Sequence, residues 1–243
     1  MEIIAHRGAS HAAPENTLAA ARLAWTENAD ALELDVRLTA DRQLAVIHDE
    51  TTKRYADIAL SVGAASMAEL QRLDVGRWKD AKYAGEKIPT LDAMLAGIPP
   101  GKRVFIEIKG GPEAVPVLER CLAGSQLKPT QPVVIAFDFS TVAAAKRVLP
   151  ATEVAWILDH DAATRSLPLD EILRRCREGG LDGLDLKAGW PIDVAFVNRV
   201  HDAGLKLYVW TVDDPVVARR LRDAGVDGIA TNRPGWLREK IAD

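Results

Sequence analysis

The sequence has little cysteine and no long run of apolar residues. Its two cysteines, Cys121 and Cys176, form no Cys-x-x-Cys motif, so a disulfide framework and a cysteine-rich metal site are both excluded. We expect both to be buried thiols in helices. No stretch approaches the roughly 18 apolar residues of a membrane-spanning helix, and the first strand-like run starts too early for a signal peptide. The sequence therefore predicts a cytoplasmic location and no membrane span.

The sequence also lacks a basic run or a basic excess. It has 31 Lys and Arg residues against 35 Asp and Glu residues, which gives a formal net charge of −4. Because binding to a phosphate backbone usually needs a basic surface, we expect no nucleic-acid partner. The composition, 48% hydrophobic and 27% charged, is ordinary for a globular protein. We predict a single domain over residues 1–243, since that length suits one α/β barrel.

Short strand-like runs alternate with helical patterns from one end of the chain to the other. Such repeated alternation is typical of a parallel sheet with helices packed against it. Eight repeats in 243 residues favour an α/β fold of the (β/α)8 TIM barrel type, with a doubly wound open sheet as the alternative. The predicted strands cover residues 2–5, 31–38, 104–109, 132–137, 153–158, 183–187, 206–212 and 228–232.

Residues 50–88 interrupt this rhythm because their hydrophobic periodicity is weak. An additional short strand, QLAVIHD over residues 43–49, precedes them. We interpret 50–88 as a small insertion after strand 2, carried on the C-terminal face of the barrel. It should contain one short helix over residues 66–74, SMAELQRLD, that covers part of the active site.

Charged residues stand inside two of the apolar strand runs. Glu33 and Asp35 are two positions apart in LELDV, and Glu107 and Lys109 are two apart in IEIK, so each pair projects from one strand face. A salt-bridged rim would explain them, with Lys109 neutralising one carboxylate. Three carboxylates against one lysine leave excess negative charge, which a hard divalent cation would balance. We therefore expect a Mg²⁺ or Ca²⁺ site at the C-terminal ends of these strands.

Two histidines also end strand-like runs. His6 follows the first run and His48 follows QLAVI. Imidazole titrates near neutral pH, so the two histidines beside a metal site are candidates for an acid/base pair. His11, His160 and His201 fall in loop or helix patterns, where we expect surface or structural roles. No serine stands beside a histidine at a strand end, so a nucleophile on the enzyme is not expected.

Five sequence blocks together resemble the glycerophosphodiester phosphodiesterases. They are HRGASHAAPENT, ELDVRLTADRQLAVIHD, IEIK, VWTVD and IATNRP, and they occur in the family's order between residues 4 and 234. The resemblance implies a metal-binding barrel hydrolase that cleaves glycerophosphodiesters to sn-glycerol 3-phosphate and an alcohol, within glycerol and lipid metabolism. It implies that Glu33, Asp35 and Glu107 hold the metal and that His6 and His48 are the catalytic acid and base.

The resemblance also implies substrate-binding residues. Arg7 matches a position that contacts phosphate, for which a forked cation is suited. Lys109 matches the lysine beside the third metal ligand, and Phe137 and Trp210 match aromatics that line the substrate pocket, with core packing as the alternative. Asp185 matches no family block, but Lys187 shares its strand face and could pair with it or reach a substrate phosphate.

Other functions stay open at this point. The same barrel could act on a lysophospholipid, a phosphoinositide or a sugar phosphodiester. A Schiff-base aldolase would use Lys109 or Lys187 as an amine of lowered pKa, and a non-catalytic metal-binding protein would use the carboxylates alone. In the favoured interpretation the partner is a small-molecule phosphodiester. The sequence leaves open the metal, the alcohol, the oligomeric state and which histidine is the acid.

Overall fold

The computed structural model describes residues 1–161, 164 and 166–242, and its described strands form one sheet. The strands are three to eight residues long, and each agrees with a predicted run to within a few positions. The strands are β1 (Glu2–His6), β2 (Ala31–Leu38), β3 (Leu44–Val46), β4 (Arg103–Ile108), β5 (Pro132–Ala136), β6 (Glu153–Leu158), β7 (Gly183–Lys187), β8 (Lys206–Trp210) and β9 (Gly228–Thr231).

The sheet closes into a barrel. The order around it is β1, β2, β4, β5, β6, β7, β8 and β9, and β1 pairs in parallel with both β2 and β9. An open doubly wound sheet would leave two edge strands, whereas here every one of these eight strands has two parallel neighbours. The predicted (β/α)8 barrel is therefore confirmed. The short β3 pairs antiparallel with the end of β2 and lies outside the ring.

Helices follow the barrel strands and pack on the outside of the sheet. A typical example is α8, where Asp214 caps the first turn by accepting from the amide of Val216, and Gly225 ends the helix in the left-handed conformation. The helices are α1 (Leu18–Thr26), α2 (Met67–Leu70), α3 (Leu91–Leu95), α4 (Val115–Gly124), α5 (Phe139–Val148), α6 (Leu169–Gly179), α7 (Val194–Asp202), α8 (Pro215–Ala224) and α9 (Pro234–Lys240).

The two predicted buried thiols differ in exposure. Cys176 is buried in α6, as expected, but Cys121 in α4 is only partly buried, so that prediction was wrong for Cys121. Its position near the C-terminal end of a ten-residue surface helix leaves one side open. Among the described helices, none combines the length and the apolar character needed to cross a bilayer.

Side chains alternate in direction along each strand, and this divides the core into two parts. On β2 the apolar Leu32, Leu34 and Val36 pack between sheet and helices, while Glu33 and Asp35 point into the barrel. Inside the ring, apolar side chains such as Phe105 fill the middle. A TIM barrel is thus a packed interior with its chemistry at one end.

A charged layer closes the N-terminal end of the barrel. Arg103, the first residue of β4, pairs with Glu2 of β1 at 2.9 Å and with Glu153 of β6 at 2.7 Å. Lys206 of β8 also lies 2.7 Å from Glu153. These four side chains come from alternate strands, which is how barrel interiors build a layer. Because this layer fills the N-terminal end, a cavity can form only at the C-terminal end of the barrel.

Residues 50–88 build a small apolar cluster of their own next to β3. Tyr55, Val62, Met67 and Leu70 are buried in it. The predicted helix over 66–74 is shorter than expected: α2 spans Met67–Leu70 behind a Ser66 and Glu69 capping box, and Asp74 then accepts two backbone hydrogen bonds in a turn. That 50–88 is an insertion within one domain stays a prediction.

This segment also contacts the loop that follows β1. The Lys79 ammonium donates to the carbonyl of Ser10 at 2.7 Å, and the Tyr83 hydroxyl donates to the carbonyl of Ala12 at 3.0 Å. Residues 50–88 therefore lie beside the HRG segment at the C-terminal end of the barrel.

Candidate active site

A cavity of about 120 Å³ lies inside the C-terminal end of the barrel. It brings together eight of the nine site residues predicted from the sequence. The ninth, Asp35, lies behind the wall with its side chain 1% exposed. The cavity is lined by His6, Arg7, Glu33, His48, Glu107, Lys109, Ile135, Phe137, Ile157, Asp185, Trp210 and Ala230.

The three predicted metal ligands form one buried cluster. Glu33, Asp35 and Glu107 each offer a carboxylate oxygen, and these oxygens lie within 4.8 Å of one another. Register explains the arrangement, because Asp35 of β2 stands directly opposite Glu107 of β4 and both point into the ring. Strand pairing thus joins two sequence motifs about 70 residues apart.

Two cationic side chains lie against this cluster. The Lys109 ammonium is 2.6 Å from Glu107 Oε1 and 3.2 Å from Asp35 Oδ1, and Arg7 Nε is 3.1 Å from Asp35 Oδ2. Lys109 thus pairs with two carboxylates rather than the one expected for a salt-bridged rim. Two cations against three carboxylates still leave an uncompensated negative charge among these five side chains.

The carboxylates share this charge unequally. Burial, with the neighbouring carboxylates adding to it, raises the pKa of Glu33 well above its ordinary value. Burial and the charge of Asp35 raise the pKa of Glu107 to about 8. Burial also disfavours the Asp35 anion, but Lys109 and Arg7 outweigh it and hold the pKa of Asp35 below its usual range. Without a cation, therefore, the cluster retains protons that a metal would replace.

The loop after β1 is shaped to hold Asp35 and Glu33. Arg7 adopts φ of 57° and donates its backbone amide to Glu33 Oε2 at 2.8 Å. Gly8 follows at φ of 84°, where a Cβ would lie 2.6 Å from that of Ala20, so glycine is required. Asn16 donates to Asp35 Oδ2 at 2.8 Å, which ties this loop to β2.

His6 is held through a chain of hydrogen bonds from the last barrel strand. Asn232 Nδ2 donates to Asp213 Oδ2 at 2.6 Å, so the Asn232 carbonyl oxygen faces His6 Nδ1 at 2.8 Å. Nδ1 must then carry the proton, which leaves the Nε2 lone pair 4.0 Å from Glu33. Burial and the Arg7 charge lower the pKa of His6 to about 4, so the imidazole is neutral at neutral pH.

His48 has a different partner, a carboxylate. Its Nδ1 lies 2.7 Å from Asp49 Oδ1, and Arg54 Nε donates to Asp49 Oδ2 at 2.9 Å. Arg54 also donates twice to Glu15, which in turn accepts from Arg7 at 2.9 Å. Burial lowers the pKa of His48, while Asp35 and Asp49 act in the opposite direction. An arginine of segment 50–88 therefore supports both His48 and Arg7.

The two aromatic residues stand at the mouth of the cavity. Phe137 and Trp210 pack edge to face with ring centroids 5.6 Å apart, and Phe137 is 42% exposed. Core packing is therefore the wrong explanation for Phe137. Lys109 lies 5.5 Å from the Phe137 ring and Lys187 lies 5.6 Å from the Trp210 ring.

Of the two roles that the sequence left open for Lys187, pairing with Asp185 is wrong. Lys187 Nζ lies 2.7 Å from Asp159 Oδ1, because its long side chain reaches outward to the loop after β6. Trp190, also buried there, donates to the Asp159 carbonyl at 3.0 Å. Asp185 points instead into the cavity.

Four further residues of the site were not predicted from the sequence: Asn232, Asp213, Asp49 and Arg54. Asn232 and Asp213 stand in the quoted blocks IATNRP and VWTVD, and Asp49 follows His48 directly. Their position in those blocks was the available signal, but only the closed barrel brings residue 232 beside residue 6.

The fold and the cavity define a class: a TIM-barrel enzyme with carboxylates, histidines and cations at the C-terminal end of its strands. The model of the glycerophosphoryl diester phosphodiesterase family matches residues 6–236. A glycerophosphodiester phosphodiesterase of Caldanaerobacter subterraneus is 34% identical over 242 residues, covering 97% of this chain and 95% of the relative.

Solved structures agree with this match. The structure of an Oleispira antarctica phosphodiesterase in complex with the product sn-glycerol-3-phosphate has a TM-score of 0.91 and 27% identity, and covers 100% of this chain and 97% of that one. A glycerophosphodiester phosphodiesterase from Agrobacterium tumefaciens has a TM-score of 0.78 and 30% identity, and covers 98% and 99%. The chain belongs to the glycerophosphoryl diester phosphodiesterase family and is a phosphoric diester hydrolase.

Proposed function

We propose that the protein is a metal-dependent phosphodiesterase that hydrolyses glycerophosphodiesters to sn-glycerol 3-phosphate and an alcohol, with His6 and His48 as the base and the acid. The observation that carries this is one cavity lined by Glu33, Glu107 and two histidines with different hydrogen-bond partners, with Asp35 clustered behind its wall. The product bound in the Oleispira antarctica relative supports the same substrate class.

The donor set fits a hard divalent cation, Mg²⁺ or Ca²⁺, which prefers carboxylate oxygens. Glu33, Asp35 and Glu107 would hold it, since their oxygens converge and, when all three are ionised, carry more negative charge than Arg7 and Lys109 offset. Such a cation, when bound, stabilises negative charge on phosphoryl oxygens. Arg7 and Lys109 add donors at the same wall, and Phe137 and Trp210 border the mouth through which the alcohol extends.

The two histidines have different hydrogen-bond partners, which suit them to different catalytic roles. His6 is neutral, with Nδ1–H directed to Asn232 and the Nε2 lone pair left to accept a proton. The Asp49 carboxylate stabilises a protonated His48, which suits the residue that gives a proton away. His6 is therefore the base in the first step, and His48 is the acid.

The reaction then proceeds in two balanced steps. His6 takes the proton of the substrate's 2-hydroxyl as that oxygen bonds to phosphorus, and His48 protonates the departing alcohol as its bond to phosphorus breaks. Attack by the 2-hydroxyl gives a cyclic phosphate. We infer this route because no nucleophilic serine or cysteine lines the described cavity. Water then opens the ring, with His48 taking its proton and His6 returning one to the 2-oxygen.

Metal removal tests this proposal directly. Turnover of sn-glycero-3-phosphoethanolamine should be lost on exhaustive EDTA treatment and return on adding Mg²⁺ or Ca²⁺, because the carboxylate cluster would be left without its cation. Glu33→Gln removes one ligand charge while keeping the side-chain shape, so it should weaken metal binding measured by calorimetry and reduce kcat.

Glu119→Gln is the matched control, since Glu119 is exposed on the outer helix α4 and does not line the cavity. It should keep both metal affinity and kcat, and circular dichroism should show both variants folded. Full activity in metal-free enzyme would contradict the metal assignment. A phosphodiester panel that includes lysophospholipids and sugar phosphodiesters checks the substrate class.

A further inference from the structure

Asp185 is a cavity residue that the proposed mechanism does not use. It stands in the middle of β7, which is the fourth strand from β2 in either direction around the eight-stranded ring. It therefore lies across the barrel from the wall that carries the carboxylate cluster. Its side chain lines the cavity, yet the residue is only 5% exposed.

The Asp185 carboxyl group is also without a protein partner. Its buried Oδ1 accepts no hydrogen bond from any residue that the structure describes. Lys187, two positions along the same strand face, pairs with Asp159 instead. The Trp210 indole donates to the backbone carbonyl of Asp185 at 3.3 Å and leaves the side chain uncovered.

A buried carboxyl group without a partner is costly, and native proteins satisfy nearly all such groups. Here the neighbouring cavity walls are the apolar side chains of Ile135, Ile157 and Ala230, which offer no donor. Burial also raises the pKa of Asp185 to about 7. The missing donor must therefore come from whatever enters the cavity.

The surroundings select the kind of donor. Lys109 and Lys187 are already paired with other carboxylates, Lys109 with Glu107 and Lys187 with Asp159, so neither supplies the missing donor. A hydroxyl suits both protonation states of Asp185, because it can donate to the carboxylate or accept from the carboxylic acid, whereas a cation would suit the carboxylate alone. The cavity, at about 120 Å³, has room for a three-carbon fragment, since one water needs only about 10–15 Å³ on the same measure.

We propose that Asp185 binds the primary hydroxyl of the substrate's glycerol moiety, the hydroxyl farthest from the phosphate. This inference rests on the proposed glycerophosphodiester substrate, whose phosphate would lie against the cluster on the opposite wall. The 2-hydroxyl is next to the phosphoester and stays near the histidines, whereas the primary hydroxyl is one carbon farther away and can reach β7. Asp185 then selects a glycerol over a shorter or deoxygenated alcohol.

Two substrates isolate this contact. One is the ethanol phosphodiester of sn-glycerol 3-phosphate, and the other is the matching phosphodiester of propane-1,2-diol, which keeps the 2-hydroxyl but lacks the primary one. For the wild-type enzyme we expect kcat/KM to be about 10- to 100-fold higher for the glycerol compound, the usual effect of one hydrogen bond to a charged group. In Asp185→Leu, which has no polar side-chain atom, this ratio should fall to near 1.

Asp185→Asn keeps an acceptor and a donor and should restore part of the preference, which a merely structural role would not do. Asp202→Leu makes the same change at an exposed position on α7 and should keep the wild-type ratio. Calorimetry with sn-glycerol 3-phosphate and with propane-1,2-diol phosphate should show the same preference in binding, independently of turnover.

The outcomes separate the two proposals. A ratio unchanged in Asp185→Leu, with both substrates still cleaved, would overturn the role of Asp185 and leave the proposed function standing. A wild-type enzyme that cleaves neither substrate would overturn the proposed function and this inference with it. A ratio that collapses equally in Asp202→Leu would show a nonspecific effect and would also refute the assignment.

Discussion

Replacing Asp185 by asparagine should stabilise the protein at neutral and basic pH. Burial raises the pKa of this carboxyl from 3.8 to about 7. The folded state therefore holds a proton that the unfolded chain releases, so folding loses stability as pH rises between these two values. Below about pH 4 both states are protonated and the effect disappears. Asparagine has nearly the same shape and does not titrate.

The size of the effect follows from the separation of the two pKa values. Each pH unit corresponds to about 1.4 kcal/mol, so a separation of about three units amounts to about 4 kcal/mol at most, reached above pH 7. Between pH 5 and pH 8 we expect the difference in free energy of unfolding between Asp185→Asn and wild type to grow by about 2–3 kcal/mol. Any unsatisfied hydrogen bonds of the amide add an offset that does not depend on pH.

Urea unfolding of both proteins in EDTA at several pH values measures this difference. The carboxylate cluster titrates in both proteins, so its contribution cancels in the comparison, and Glu119→Gln supplies a surface control with no expected trend. A difference that stays constant from pH 5 to pH 8, or one that shrinks, would refute the reasoning that Asp185 is buried without a partner. Stabilisation accompanied by lost substrate preference would identify a residue kept for binding at a cost in stability.

Three further predictions follow from the barrel and its site. His6→Ala and His48→Ala should each lower kcat by roughly 10²- to 10⁴-fold, whereas His201→Ala should have little effect because His201 pairs with Asp227 on the surface; equal losses in all three would contradict the assignment. Arg103→Met should lower the free energy of unfolding by about 2–4 kcal/mol, since it removes the arginine partner of the partly buried Glu2 and leaves Glu153 with Lys206 as its only cation, but kcat/KM should be unchanged, and a large change in kcat/KM would argue against the separation of the two barrel ends. A propane-1,3-diol phosphodiester, which lacks the 2-hydroxyl, should be cleaved orders of magnitude more slowly than the matching glycerol phosphodiester while still binding competitively. The reason is that intramolecular attack draws on effective molarities of about 10⁵ M or more. Comparable kcat/KM for the propanediol and glycerol compounds would point to direct attack by water.

Local patterns predicted much of the architecture. Alternation of strand-like and helical segments is a property of neighbouring residues, so it indicated the barrel and each strand to within a few positions. The two-residue spacing of Glu33 and Asp35 fixed their common strand face for the same reason. The helix expected over 66–74 spans only Met67–Leu70, because the amides of Arg72 and Leu73 bond to carbonyls three residues back rather than four, in tight turns.

Contacts between distant parts of the chain were decided only by the tertiary structure. Barrel closure places Asn232 against His6, and the packing of segment 50–88 beside the loop after β1 brings Arg54 to Glu15. The sequence put Lys187 and Asp185 on one strand face, but spacing cannot say which partner a long, flexible side chain reaches. Lys187 reaches Asp159, and Asp185 is left facing the cavity, because pairing depends on distances across the closed ring that no local pattern encodes.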